Sequence, residues 1–110
     1  MTDRLMNMIG LCMRAGRLQS GALPVEKALS AKSAKLLLLD SDMAPGSVKK
    51  FESACAANDT AIILLPGGAL TNAIGKDRLC AAVTDEGFSK QILKLAVDAG
   101  LHIIGGVTIT

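Results

Sequence analysis

The chain has 110 residues, half of them hydrophobic, a net charge of only +2, and Phe51 and Phe88 as its sole aromatic side chains. That length suits one domain with its own aliphatic core, and the aromatic count argues against a base-stacking platform. His102 is the single histidine, and Cys12, Cys55 and Cys80 are scattered among apolar neighbours. A zinc site or a Cys–His nucleophile pair would lack ligands or partners, so buried thiols in a reducing, cytoplasmic compartment, without metal or cofactor, are expected.

Charge is uneven along the chain. Residues 1–35 carry six bases (Arg4, Arg14, Arg17, Lys27, Lys32 and Lys35) against the acids Asp3 and Glu26, whereas the remainder sums to −2. Such asymmetry fits either an ordinary solvated surface or a local patch for a polyanion. The stretch from Met1 to Gly16 is broken by Asn7, Gly10 and Arg14 and lacks the pattern of a signal peptide. No segment approaches the roughly 20 apolar residues of a membrane span, so no membrane partner is expected.

In chain order, Leu5, Met8, Ile9, Cys12 and Met13 recur at helical steps between Asp3 and Ala15, with Gly16 as a stop. Leu18 to Ser20 reads as a short extended link, and Gly21 leads into a helix to about Ala31, where Pro24 is tolerated only in the first turn. The leucine run between Lys35 and Asp40 predicts a central strand covered on both faces. Pro45 opens a helix whose inner face is Val48, Phe51 and Cys55, and which ends near Asn58 and Asp59. Ala61 to Leu65 is the next buried strand, Pro66-Gly67-Gly68 turns into a short helix through Ile74, and Leu79 to Val83 is a further strand. Thr84 and Asp85 can cap a last helix, Glu86 to about Ala99, that Gly100 stops.

The alternation reads as α/β, with one domain over residues 1–100 and a β-prone tail over 101–110. The tail can add an edge strand, pair with a second molecule in self-association, or fray.

Few groups are placed for chemistry. The carboxylates sit in turns, as at Asp40/Asp42 and Asp85/Glu86, where caps and solvated loop ends are common. Gly67 and Gly68 follow a strand and precede a helix, so their N–H groups could hold a phosphate, as in a small nucleotide-binding enzyme, or simply make a turn. The bases around Gly16, Arg14 and Arg17, with Lys27 and Lys32 further on, serve equally as helix-end and solubility charges or as phosphate contacts.

Three stretches taken together decide more. They are Gly10 to Leu18 with Gly21, the strand Ala34 to Leu39, and Ala73-Ile74-Gly75-Lys76 followed by Val83-Thr84-Asp85-Glu86-Gly87-Phe88. In order and spelling the chain resembles the kink-turn-binding ribosomal protein superfamily, especially its small bacterial ribosomal-protein-like members, from about Leu5 to Ala96. The resemblance implies a three-layer α/β/α sandwich with a mixed four-stranded sheet. It also implies a non-catalytic protein that grips structured, kink-turn-like RNA, ribosomal RNA among the candidates.

In such proteins the start of the second helix and the loop before the last strand hold the RNA. The family pattern Gly-x-Asn-Glu-x-x-Lys corresponds to Gly21-Ala22-Leu23-Pro24-Val25-Glu26-Lys27, which keeps Gly21 and Lys27 but puts Leu23 and Pro24 where the base-reading Asn and Glu would stand. The second loop corresponds to Gly75 to Leu79, where Leu79 is expected to pack on an extruded base and Lys76 and Arg78 to approach the backbone. The implied contact set is therefore Arg14, Arg17, Gly21, Ala22, Leu23, Lys27, Lys32, Lys76, Arg78 and Leu79. A protein-interaction or assembly domain that has lost kink-turn reading is the alternative on the same fold.

Overall fold

A computed structural model describes residues 3–105. Five helices, α1 (Asp3–Arg14), α2 (Ala22–Ser30), α3 (Pro45–Asn58), α4 (Ala69–Ile74) and α5 (Glu86–Asp98), alternate with five strands. The strands are β1 (Leu18–Ser20), β2 (Leu36–Asp40), β3 (Ala61–Leu65), β4 (Cys80–Val83) and β5 (Ile103–Ile104). They form one mixed sheet in the order β1-β4-β2-β3-β5, in which only the β2–β3 pair is parallel.

The leucine run explains the layering. Every residue of β2 is buried, and alternate side chains leave the sheet on opposite faces. Leu36 and Leu38 join Leu5, Ile9, Leu70, Ile74 and Ile92 under α1, α4 and α5. Leu37 and Leu39 join Val25, Leu29, Phe51 and Cys55 under α2 and α3. Two aliphatic cores back to back give the α/β/α sandwich that the resemblance implies. Complete burial of such a side chain contributes about 1.5–3 kcal/mol, and β2 contributes on both sides.

The sheet has five strands rather than four. The extra strand comes from the tail, where Ile103 and Ile104 pair antiparallel with Ile63 and Ile62 and cover an edge of β3 that would otherwise stay open. Residues 106–110 of the tail lie outside the described part. The expected link at Leu18 to Ser20 is a strand in its own right, laid against β4 with Leu18 opposite Val83 and Ser20 opposite Ala81. At the far helix, Asp85 caps α5 by accepting the Phe88 N–H at 2.9 Å.

One carboxyl ties the sheet to its loops. Asp40, fully buried at the end of β2, accepts the Asp42 N–H through Oδ1 and the Gly68 N–H through Oδ2, both at 2.8 Å. It thereby fixes the Pro66–Gly68 turn against the sheet. No helix among the described residues is long and apolar enough to cross a membrane.

The three cysteines are free and buried. Burial, with a smaller effect of Asp85 at Cys12, pushes the Cys12 and Cys55 thiols up from 9.0 to about 11, and burial also raises Cys80. Unfolded thiols ionise first as pH rises, so stability from this source is complete below about 9 and falls toward about 11. Urea denaturation across that range should show a falling midpoint, with a shallower fall in Cys55→Ala.

Candidate nucleic-acid interface

The ends of β1, β2 and β3 and the beginning of β4 lie at the same end of the sheet, because β4 runs against both of its neighbours. This places the start of α2 and the loop of residues 75–79 side by side, although some fifty residues of chain separate them. Two hydrogen bonds pin the junction. The Gly21 N–H donates to the Cys80 carbonyl at 2.9 Å, and the Asp40 N–H donates to the Leu79 carbonyl at 2.9 Å.

Gly21 precedes α2 with φ 100° and ψ 157°, a conformation that side-chain-bearing residues rarely adopt. The helix then starts with no side-chain cap and no acid in its first turn, and Pro24 has no N–H to offer. The N–H groups of Ala22 and Leu23 have no partner within the helix and lie at an exposed end, where the helix dipole favours negative charge. Leu23 itself is 64% exposed.

On the facing loop, Gly75 ends α4 at φ 74° and the chain turns through Lys76 and Asp77, both exposed. Arg78 is held by Thr71, whose Oγ1 accepts the Arg78 N–H and donates to the Arg78 carbonyl, each at 3.2 Å. The Arg78 side chain passes across Gly21: a Cβ on that glycine would stand 3.5 Å from its Nε and 3.7 Å from its Cδ. Leu79 follows, 43% exposed, so two exposed leucines flank the place where loop and helix meet.

Lys27 lies one turn further along α2 and lines a groove of about 570 Å³ with Gln19, Leu23, Pro24, Ala28 and Thr84. The groove runs beside the outer edge of β1. Thr84, which lines it, donates its N–H at 2.9 Å and its hydroxyl at 3.1 Å to the Arg17 carbonyl. Arg17 is thus four residues from Gly21 along an extended segment, about 13 Å at the rise of a strand.

The remaining expected contacts are spread more widely. Arg14 ends α1, and its Nη1 folds back toward Gly10, whose missing side chain lets α1 approach the Ala73 carbonyl of α4. Lys32, at φ 58°, lies beyond the far end of α2 in a hollow shared with Asp59 and Thr60. Gly21, Ala22, Leu23, Arg78 and Leu79 therefore meet in one place, with Lys27 and Lys76 beside it, while Arg14, Arg17 and Lys32 stand apart. The clamp that Thr71 places on Arg78 has no counterpart in the sequence reading, because nothing in its spacing marks Thr71.

The Gly67-Gly68 turn is differently equipped. The Gly68 N–H is spent on Asp40, the Asp42 carboxylate lies so close to Gly67 that a Cβ there would be 2.7 Å from Oδ2, and Asp3 lines the same hollow. Carboxylates around a turn whose donor is already used repel an anion rather than hold one. Among the described residues no group of three or more His, Cys, Asp or Glu side chains is placed to hold a metal ion.

Gly21 is the conformational keystone of the junction. Gly21→Ala forces an L side chain to φ 100° and against Arg78, so a loss of about 1–3 kcal/mol is expected. Chemical denaturation measures it, with Gly46→Ala, where a Cβ meets nothing within 4 Å, as the control.

Comparison with known proteins agrees with this architecture. An RNA-binding protein YlxQ of Enterococcus faecium is 29% identical over 94 residues, spanning 84% of this chain and 91% of that protein. A Bacillus halodurans protein of unknown function superposes with a TM-score of 0.82 at 29% identity, covering 86% of this chain and 97% of that one. The Giardia lamblia 15.5kD RNA binding protein shares the fold, with a TM-score of 0.72 at 16% identity over 90% of this chain and 87% of its own. Residues 3–93 match the model of the ribosomal protein L7Ae/L30e/S12e/Gadd45 family, and the chain belongs to that family.

Proposed function

We propose that this chain is a non-catalytic, cytoplasmic RNA-binding protein that recognises a bent, kink-turn-like RNA, ribosomal RNA among the candidates, through the start of α2 and loop 75–79. The observation that carries the reading is the junction itself. An uncapped helix start, a guanidinium and two exposed leucines converge there, with Lys27 and Lys76 alongside. Family membership and the RNA-binding relative support it.

The chemistry suits a sharply bent RNA better than a regular duplex. A-form RNA hides its base edges in a deep, narrow groove, whereas a kink exposes bases and crowds phosphates. Helix N–H groups and cations suit the phosphates, and Leu23 and Leu79 suit the face of an unstacked base. The groove lets a phosphodiester strand leave the junction past Lys27 toward Thr84, which is bonded to the Arg17 backbone. Lys32, at the opposite end of α2, lines the adjoining hollow with Asp59 and Thr60, whereas its neighbours Ala31 and Ser33 line the groove.

Fluorescence-anisotropy titration of a kink-turn RNA, and of the same RNA with its G·A pairs disrupted, tests the reading at two salt concentrations. Selective, salt-sensitive binding is expected, and equal or absent binding of the two RNAs would refute it. Lys27→Ala and Arg17→Ala should each weaken binding and reduce the slope of log affinity against log salt by roughly 0.7–0.9, with Lys32→Ala unchanged.

A further inference from the structure

Arg78 is unusual in one respect: its Nε is shielded from solvent and has no hydrogen-bond partner. Buried donors of this kind are rare, because a guanidinium N–H removed from water without an acceptor is destabilising. The only bond its side chain makes among the described residues is a solvent-exposed one, from Nη1 to the Asp77 carbonyl at 3.1 Å. The Glu26 carboxylate, on α2, does not accept from it and lies 3.6 Å from Lys50 instead. The backbone of Arg78 is clamped by Thr71, while the guanidinium rests across Gly21 with donors unspent. Its anchor is fixed, and the one bond that holds its head is exposed to solvent.

The surroundings select what such a head meets. Leu79, next in the chain, and Leu23, two residues beyond Gly21, are both exposed, and Pro24 removes a helix N–H. Apolar side chains favour the flat face of a base over a hydrated phosphate, and a guanidinium fork matches two acceptors set side by side, as O6 and N7 are on guanine. Neither Leu23 nor Pro24 has a side-chain donor or acceptor with which to read that edge.

Resting on the RNA-binding reading above, we infer that Arg78 is the base-reading residue of this protein, its guanidinium turning from Gly21 onto the O6/N7 edge of a guanine in the bound RNA. Reading therefore comes from the loop side of the junction, where Thr71 holds the backbone, and the start of α2 supplies shape, apolar contact and phosphate binding. The turn also relieves the unpaired Nε, so the contact replaces an unfavourable arrangement in the free protein.

The test uses the full chain with a kink-turn RNA and with the same RNA carrying 7-deazaguanine, which lacks N7, at its G·A pairs. The wild-type protein should bind the modified RNA about tenfold or more weakly. Arg78→Lys, which keeps the charge and loses the fork, should bind the unmodified RNA about tenfold more weakly, keep the wild-type salt slope and no longer distinguish the two RNAs. Undiminished wild-type binding to the modified RNA, or an Arg78→Lys protein that binds as the wild type does, would overturn the assignment. Should Arg78→Lys fail to fold by circular dichroism, the wild-type comparison of the two RNAs decides alone. A wild-type protein that does not bind the unmodified RNA would overturn the RNA-binding reading itself and this inference with it.

Discussion

Everything at the candidate interface depends on where β4 enters the sheet. It runs antiparallel between β1 and β2, and its first residues are held from both sides by the Gly21 N–H to Cys80 bond and the Asp40 N–H to Leu79 bond. A strand placed at the opposite side of the sheet, beside β3, would leave loop 75–79 remote from α2. Inserted where it is, it delivers Arg78 across the glycine that starts α2. The same pairing supplies Ala81 and Ala82, small residues that let helices on both faces approach the middle of the sheet.

Rigid support lies beneath a surface that has donors to spare. The leucines of β2 fill both cores, and Asp40 uses both carboxyl oxygens to anchor its own turn and the Gly67-Gly68 turn. The Pro66–Gly68 turn and the Gly21 corner at this end of the sheet therefore have opposite characters. The Pro66–Gly68 turn is closed by carboxylates, whereas Gly21 opens onto a helix start without a cap. Burial of the aliphatic cores supplies the stability that lets the junction keep unspent N–H groups and exposed leucines, since functional sites are where local rules yield to another purpose.

The fold was largely legible because its signals are local. Four consecutive leucines ending at Asp40 can scarcely be anything but a doubly covered strand, and Gly16, Pro24, Pro45 and Gly100 punctuate helices where the structure has them. Strand order is not local, and so the insertion of β4 does not follow from spacing, whereas the β-prone tail already offered the edge strand that Ile103 and Ile104 form. The interface was legible in part for the same reason. Gly21 and loop 75–79 carry recognisable spelling, but Arg14, Arg17, Lys27 and Lys32 look like one basic cluster in the sequence and in space are spread from the end of α1, past the start of β1 and along α2, to the turn beyond it. A side-chain clamp such as Thr71 on Arg78 leaves no periodic trace at all.

Amide hydrogen exchange of the full chain, with and without a kink-turn RNA, tests most directly whether one junction of two distant segments forms the interface. Added protection confined to residues 21–27 and 75–79, with neighbouring amides of β1 following, is the predicted result. Protection centred on the α1–α5 face around Leu11 and Val97, or on the Lys32–Thr60 hollow, would contradict it.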